Sequence, residues 1–294
     1  MKHFDAAARD RFKLNAETLD GYCHVIDEEI DSLEDGSSSE FSFAKSEIND
    51  VDLSSFRPQD ELNPKVWVNG RLNSRVRLRL LDIADTFIDT LEVDWVKPVD
   101  IILTGSLANY NWSKFSDFDL HVLIDFNEVD ERTAFVKDYF DSKKKIWNDT
   151  HDNLTIYGFP VELYVQDVNE KHTASGVYSL ERDTWVVEPH PDNIQAIKLN
   201  KFLIKEKTIK IINEILELEE AFENSSDDEY KCSKIAEKAK KLFDRIKGIR
   251  KESLKNGGEM SSGNVIFKCL RRLGYIGRLV DLKVATYDRL NSIK

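Results

Sequence analysis

Apolar residues recur at two different spacings in the first two thirds of the chain. From Ser74, which is placed to cap a helix, they return every three or four residues and predict an amphipathic helix. The segment 99–104 is mostly apolar and ends at Gly105, which predicts a buried strand. From Phe118 to Phe126 apolar and polar residues alternate, which predicts a second strand with Asp117, Asp119, His121 and Leu123 on its polar side.

The remaining elements follow from the same patterns. Residues 128–147 are helical by pattern, and residues 154–157 and 161–166 predict a hairpin with a turn at 158–160. Residues 176–187 predict a further extended segment. After Asn193 the pattern is helical throughout. The fold class predicted is α+β, a mixed sheet with flanking helices followed by an all-α domain.

Composition divides the chain into three parts. Residues 1–62 are acidic and contain Gly36-Ser37-Ser38-Ser39, so we expect a partly disordered segment and linker. Residues 63–192 contain the predicted sheet and form the expected catalytic domain. Residues 193–294 form the expected helical, substrate-binding domain.

Bulk composition bounds the class of protein. Cys23, Cys232 and Cys269 are scattered and form no C-x-x-C pair, which argues against a disulfide framework and a structural zinc site. No run approaches the roughly 18 apolar residues that a membrane span needs, and no signal peptide is evident. We therefore expect a soluble cytoplasmic protein that has no membrane partner.

The charge is unevenly distributed. The formal net charge is −12, but residues 194–294 contain 22 Lys and Arg against 15 Asp and Glu, which is +7. The rest contains 20 against 39, which is −19. A basic rear half could present a surface to a polyanion such as RNA. The alternative is a helical bundle whose lysines form a solvated face.

Five residues are candidates for chemistry on phosphates. Gly105 follows a buried strand, where its missing Cβ would let a phosphate approach, and the Ser106 hydroxyl and amide could face the same anion. Asp117 and Asp119 stand at i and i+2 on one strand face, which suits shared coordination of a pair of metal ions. Glu162 interrupts the apolar positions of a later strand and is the candidate third carboxylate.

At this point the motifs resemble a known family. The string Leu103-Thr104-Gly105-Ser106, the gap to Asp117-Phe118-Asp119-Leu120, and Val161-Glu162-Leu163 resemble the DNA-polymerase-beta-type nucleotidyltransferases. The longer phrase 105–121 is similar to uncharacterised predicted nucleotidyltransferases often carried by tailed phages, in which case the cytoplasm would be that of the host. The resemblance covers roughly residues 75–170.

The resemblance implies a function and a mechanism. It implies two-metal catalysis with Mg²⁺ or Mn²⁺, an NTP donor with ATP expected, and transfer of a nucleoside monophosphate to an acceptor hydroxyl. Asp117 and Asp119 would hold the ion on the triphosphate, and all three carboxylates the ion at the acceptor. Glu162 could also accept the acceptor proton. We expect Asp117, Asp119 and Glu162 to be the catalytic and metal-binding residues, with Gly105 and Ser106 binding nucleotide.

Several weaker candidates have structural alternatives. Lys201 and Lys205 share one helix face and could contact the triphosphate. His121 could touch substrate, and a purely structural role is the alternative. Tyr178 and Trp185 could stack on a base, and core packing is the alternative.

The acceptor stays open at this stage. RNA or tRNA is favoured by the basic rear half. A protein hydroxyl, as in an antitoxin-like modifier, and a second nucleotide, giving a signalling oligonucleotide, are the enzymatic alternatives. A catalytically silent module that binds nucleotide or a partner protein is the alternative of another class, and the presence of all three carboxylates argues against it.

Overall fold

The computed structural model describes residues 53–170, 174–191, 199–226 and 228–293. The chain divides into two compact units, one comprising Ser55–Ala196 and the other including Ile197–Lys294. The predicted acidic segment falls outside the described residues as far as residue 52. The predicted start of the helical domain at residue 193 also falls outside them.

A short hairpin precedes the first helix. Its strands are β1 (Trp67–Val68) and β2 (Arg71–Leu72), and they were missed at the sequence level. Asn69 and Gly70 between them have φ of 52° and 75°, the left-handed pair that an Asn-Gly hairpin turn adopts. The dipeptide was therefore the signal that could have predicted this hairpin.

The first long helix is α1 (Ser74–Asp89), as the apolar spacing predicts. The predicted N-cap is wrong by one residue, because Asn73 is the cap and Ser74 is helical. The Asn73 side chain accepts a 3.0 Å hydrogen bond from the Arg75 amide. Asparagine and serine are both favoured at this position, so backbone geometry made the choice.

The remaining elements of the first unit form a mixed six-stranded sheet with two helices. Its strand order is β5-β6-β4-β3-β7-β8, in which only β4 and β6 are parallel neighbours. The α+β class with a mixed sheet is thereby confirmed. The elements are β3 (Asp100–Thr104), β4 (Phe118–Ile124), α2 (Phe126–Val129), α3 (Thr133–Thr150), β5 (Thr155–Ile156), β6 (Phe159–Asp167), β7 (Val177–Ser179) and β8 (Thr184–Val187).

Two predicted boundaries are wrong near β4. The strand ends at Ile124 and not at Phe126, because the Asp125 side chain caps α2 through the Asn127 amide at 3.0 Å. The predicted single helix over 128–147 is two helices. Asp130 accepts hydrogen bonds from the backbone and guanidinium of Arg132, which stabilises the break between them.

Two further segments differ from prediction in their turns. The hairpin turn before β6 is Tyr157-Gly158, with φ of 52° and 84°, and Pro160 lies inside β6 opposite Thr155. The extended segment 176–187 is two strands, and Asp183 in the turn between them has φ of 52°. Turns that use non-glycine residues with positive φ are hard to locate from composition.

One face of the sheet, here called the core face, packs against α1 and α3. Tyr178 is fully buried in the same core, edge-on to Trp67 and Trp185 with ring centroids 5.0 Å apart in each pair. Burial raises the pKa of Tyr178 above its usual value. Tyr178 therefore packs in the core. The core-face residues of the central strands include Ile101, Leu103, Phe118, Leu120, Val122, Ile124, Val161 and Leu163.

The described part of the second unit after residue 198 is helical, as predicted. Its helices are α4 (Lys201–Glu223), α5 (Glu229–Gly257), α6 (Ser262–Arg272) and α7 (Tyr275–Asn291). Arg250 of α5 is buried, donates to Asn264 Oδ1 at 3.1 Å and lies over the Phe267 ring. Burial lowers the pKa of Arg250 to about 10. Within the described ranges, no helix has the length and apolar character needed to cross a membrane.

Candidate metal centre

The strand order brings the candidate residues together at one end of the sheet. Because β3 runs antiparallel to β4, the last residue of β3, Thr104, lies opposite Asp119 near the start of β4. Because β4 is parallel to β6, Asp119 also pairs with Glu162 near the start of β6. Gly105, Asp119 and Glu162 therefore converge, although Gly105 and Glu162 are 57 positions apart along the chain.

Asp117, Asp119 and Glu162 form what we call the acidic cluster. One carboxylate oxygen from each lies within 4.8 Å of the others, and none of the three side chains is exposed. Three carboxylates at this spacing repel one another unless a cation lies among them. Hard oxygen ligands of this kind suit Mg²⁺ or Mn²⁺. The cluster could therefore hold a divalent metal ion.

Gly105 makes room for the acidic cluster. Its backbone, with φ of 74° and ψ of −161°, occupies a region that is essentially restricted to glycine. A Cβ at this position would lie 2.8 Å from Asp119 Cγ and would overlap Asp119 Oδ2. The Asp119 carboxylate thus fills the space that a Cβ at position 105 would need, and binding of a phosphate at this backbone stays a prediction. The group that packs closely against Gly105 is therefore a candidate metal ligand.

Ser106 connects the two ends of the loop 105–117, here called the site loop. It begins a single 3₁₀ turn, Ser106–Ala108, and its hydroxyl lies 2.7 Å from that of Ser116. Ser116 Oγ also accepts a 2.9 Å hydrogen bond from the Ser113 amide. Ser116 is buried and directly precedes Asp117, so the hydrogen bond between the two hydroxyls helps to hold Asp117 in position.

Residues outside the predicted motif hold the site loop in place. The Trp67 indole donates to the Leu107 carbonyl at 2.7 Å, and Gln59 donates to the Trp112 carbonyl at 3.1 Å. Asn109 donates to Ser175 Oγ at 2.6 Å. These partners are distant in sequence and stand in no motif, so the sequence carried no signal for them.

A second group of polar side chains extends the acidic cluster along the sheet. Tyr164 donates a hydrogen bond to Glu162 Oε2 and stacks on His121, with ring centroids 4.7 Å apart. His121 Nδ1 lies 2.9 Å from Gln166 Oε1. Lys144 of α3 lies over the Tyr164 ring at 4.7 Å. His121 therefore contacts the cluster through Tyr164, a link that the sequence analysis did not foresee.

The two predicted lysines lie on the helical unit. Lys201 is the first residue of α4, and Lys205 lies one turn later on the same face. Asn200 caps this helix by accepting a 3.2 Å hydrogen bond from the Leu203 amide. A contact between these lysines and a triphosphate remains a prediction.

Comparisons with known proteins found no relative of this chain. No family model, curated protein or solved structure matches the chain. What the site can do is therefore inferred from its own residues. They comprise the three carboxylates of the acidic cluster, Gly105, which leaves room for Asp119, and the site loop, whose ends are joined by the Ser106–Ser116 hydrogen bond.

Proposed function

We propose that the chain is a metal-dependent nucleotidyltransferase that moves a nucleoside monophosphate from an NTP, ATP being expected, to a hydroxyl of an RNA acceptor. The observation that carries the proposal is the convergence of Asp117, Asp119 and Glu162 beside Gly105 and Ser106. Gly105 and Ser106 directly follow β3, Asp117 and Asp119 lie at the start of β4, and Glu162 lies within β6, and this placement supports the proposal.

The donor set fits the metal that this reaction uses. Two-metal sites hold their ions about 3.5–4 Å apart, and carboxylates shared between the ions supply most of the protein ligands. Asp117 and Asp119 would hold the ion on the triphosphate, and Glu162 would complete the site at the acceptor. When bound, the ions would lower the pKa of the acceptor hydroxyl and neutralise charge on the leaving pyrophosphate.

The protein residues have separate roles in the proposed reaction. The acceptor oxygen forms a bond to the α-phosphorus, the bond from that phosphorus to the bridging oxygen breaks, and pyrophosphate leaves. Glu162 would accept the proton of the acceptor hydroxyl. Ser106 and the adjacent backbone amide would orient the phosphates, and the hydroxyl pair with Ser116 would keep Ser106 in place.

RNA is the proposed acceptor because of the charge distribution. The helical half has a formal charge of +7 in a chain of −12, and a basic surface concentrates a polyanion close to it. A protein acceptor has no phosphate backbone and a second nucleotide has only a few phosphates, so each would gain less from this surface than RNA would.

The proposal is tested by following the label of each α-³²P-labelled NTP with Mg²⁺ or Mn²⁺. Total RNA, cell protein or buffer is offered as acceptor, and the products are separated by size and by nuclease and protease digestion. We expect label in RNA. Label in a protein band or in a small soluble product would replace RNA by the corresponding acceptor.

Asp119→Asn is the matched catalytic variant. We expect it to lower transfer at least about a hundredfold, since removing one charge-stabilising group from a reaction centre costs on the order of 10²–10³ in turnover. Asp152→Asn, at an exposed position, is the control and should leave transfer unchanged. Equal turnover in Asp119→Asn and Asp152→Asn would contradict the proposal, as would NTP binding without transfer to any acceptor.

A further inference from the structure

Glu162 is the member of the acidic cluster that is held by a neighbouring side chain on its own strand. Its Oε2 accepts a hydrogen bond from the Tyr164 hydroxyl. Residues two positions apart on a strand point to the same side, which explains why the hydroxyl reaches the carboxylate. A glutamate has three rotatable side-chain bonds, so without such a contact it would sample several positions relative to Asp119.

Tyr164 is itself held from two sides. Its ring is nearly parallel to that of His121, with an interplanar angle of 18°, and Lys144 lies over the ring at 4.7 Å. His121 is fixed in turn by the 2.9 Å contact with Gln166. His121 and Tyr164 are also direct partners in the register of β4 and β6. These contacts hold the Tyr164 ring in the position from which its hydroxyl reaches Glu162.

We infer that Tyr164 is a positioning residue that orients the Glu162 carboxylate for metal binding. This inference rests on the proposed function, because it takes the acidic cluster to be a metal site. Partners that orient metal ligands through hydrogen bonds typically contribute 10–100-fold to metal affinity. Tyr164 does this without being a ligand.

The test is a calorimetric titration of the full-length chain with Mn²⁺ in the absence of nucleotide. Tyr164→Phe removes the hydroxyl and keeps the ring that stacks on His121. We expect it to raise the Kd for Mn²⁺ by about 10–100-fold. Tyr157→Phe, the same substitution at the exposed turn before β6, is the matched control and should leave the Kd unchanged. Circular dichroism melts without metal verify that each variant is folded.

A double-mutant cycle separates positioning from general destabilisation. In a Glu162→Gln background, Tyr164→Phe should have no further effect on Mn²⁺ binding, because the carboxylate that Tyr164 orients is gone. An equal loss in both backgrounds would overturn the inference, as would a Tyr164→Phe variant that binds Mn²⁺ like the wild type.

The two proposals fail in different ways. A wild-type chain that does not bind Mn²⁺ would overturn both the metal centre and the role of Tyr164. Binding that depends on Tyr164, together with no transfer from any NTP, would support the positioning role and contradict only the nucleotidyltransferase.

Discussion

At the scale of single residues, the site depends on a glycine that leaves room for a neighbouring carboxylate. Asp119 points into the volume that a side chain at position 105 would fill, and Gly105 leaves that volume free. The glycine also adopts a backbone conformation that other residues reach only with strain. A Gly-Ser pair after a strand can therefore be required by a carboxylate on the neighbouring strand, independently of any bound phosphate.

Gly105→Ala should lower transfer and Mn²⁺ binding by more than backbone strain alone would explain. We expect transfer to fall on the order of a hundredfold, because the new methyl group forces Asp119 to move and misplacements of about 1 Å have costs of this size. The Kd for Mn²⁺ should rise in parallel. Both are measured on the folded variant, by the NTP labelling assay and by calorimetry.

Gly258→Ala is the matched control for this substitution. Gly258 has nearly the same backbone angles, φ of 61° and ψ of −160°, but a Cβ there would meet nothing within 4 Å. It should lose about 1–3 kcal/mol of local stability and retain Mn²⁺ binding. Equal effects of the two substitutions on Mn²⁺ binding would show that strain, and not the contact with Asp119, is the cause.

At the scale of elements, β6 is a strand whose outer edge is covered by a helix. β5 pairs with β6 only at Phe159 and Pro160. Further along, the Asn148 side chain of α3 accepts from the Leu163 amide and donates to the Leu163 carbonyl, both at 3.1 Å. One side-chain amide thus replaces a missing neighbouring strand, directly after Glu162.

Asn148→Ala should loosen this edge. It leaves the amide and carbonyl of Leu163 without their partner, and an unmade hydrogen bond of this kind costs about 1–3 kcal/mol. Amide exchange at Leu163 should accelerate by about 5- to 150-fold, which hydrogen–deuterium exchange measures residue by residue. Asn153→Ala, at an exposed position, should leave that rate unchanged. Unaltered exchange in Asn148→Ala would show that α3 does not protect the strand.

At the scale of the whole molecule, the front and rear parts of the sequence have opposite formal charges, and the proposed RNA acceptor rests on this difference. The first 193 residues have a formal charge of −19 and the rest +7. Exposed lysines of α5 contribute to the positive half, and several already pair with acids, as Lys241 does with Glu237 at 2.9 Å. The remaining positive charge is what an RNA acceptor would neutralise.

RNA binding should therefore depend steeply on salt. If about three phosphates are contacted, the Kd for single-stranded RNA should rise on the order of tenfold between 50 and 200 mM KCl. Fluorescence anisotropy of labelled RNA in the absence of NTP measures this Kd, with Asp119→Asn used to suppress residual transfer. A Kd that does not change with salt would exclude the basic half as the RNA-binding surface and would favour a small or protein acceptor.

Much of the site could be predicted because its chemistry is concentrated in short motifs. The spacing of Asp117 and Asp119 on an alternating strand, and Glu162 inside another strand, was sufficient to predict that the three share one face. Boundaries were predicted less well. Asp125 and Asn73 cap helices by local hydrogen bonds that several residue types could make equally well.

The sequence by itself determined the residue types and the order of the elements, because periodicity and short motifs are local properties of the chain. The tertiary structure alone decided which strands are neighbours, and hence that Asp119 lies between Gly105 and Glu162. It also decided that Tyr164 orients toward Glu162 and that Trp67 holds the site loop. These contacts join residues on different strands or place a side chain in one of several rotamers, and both depend on how the whole core packs.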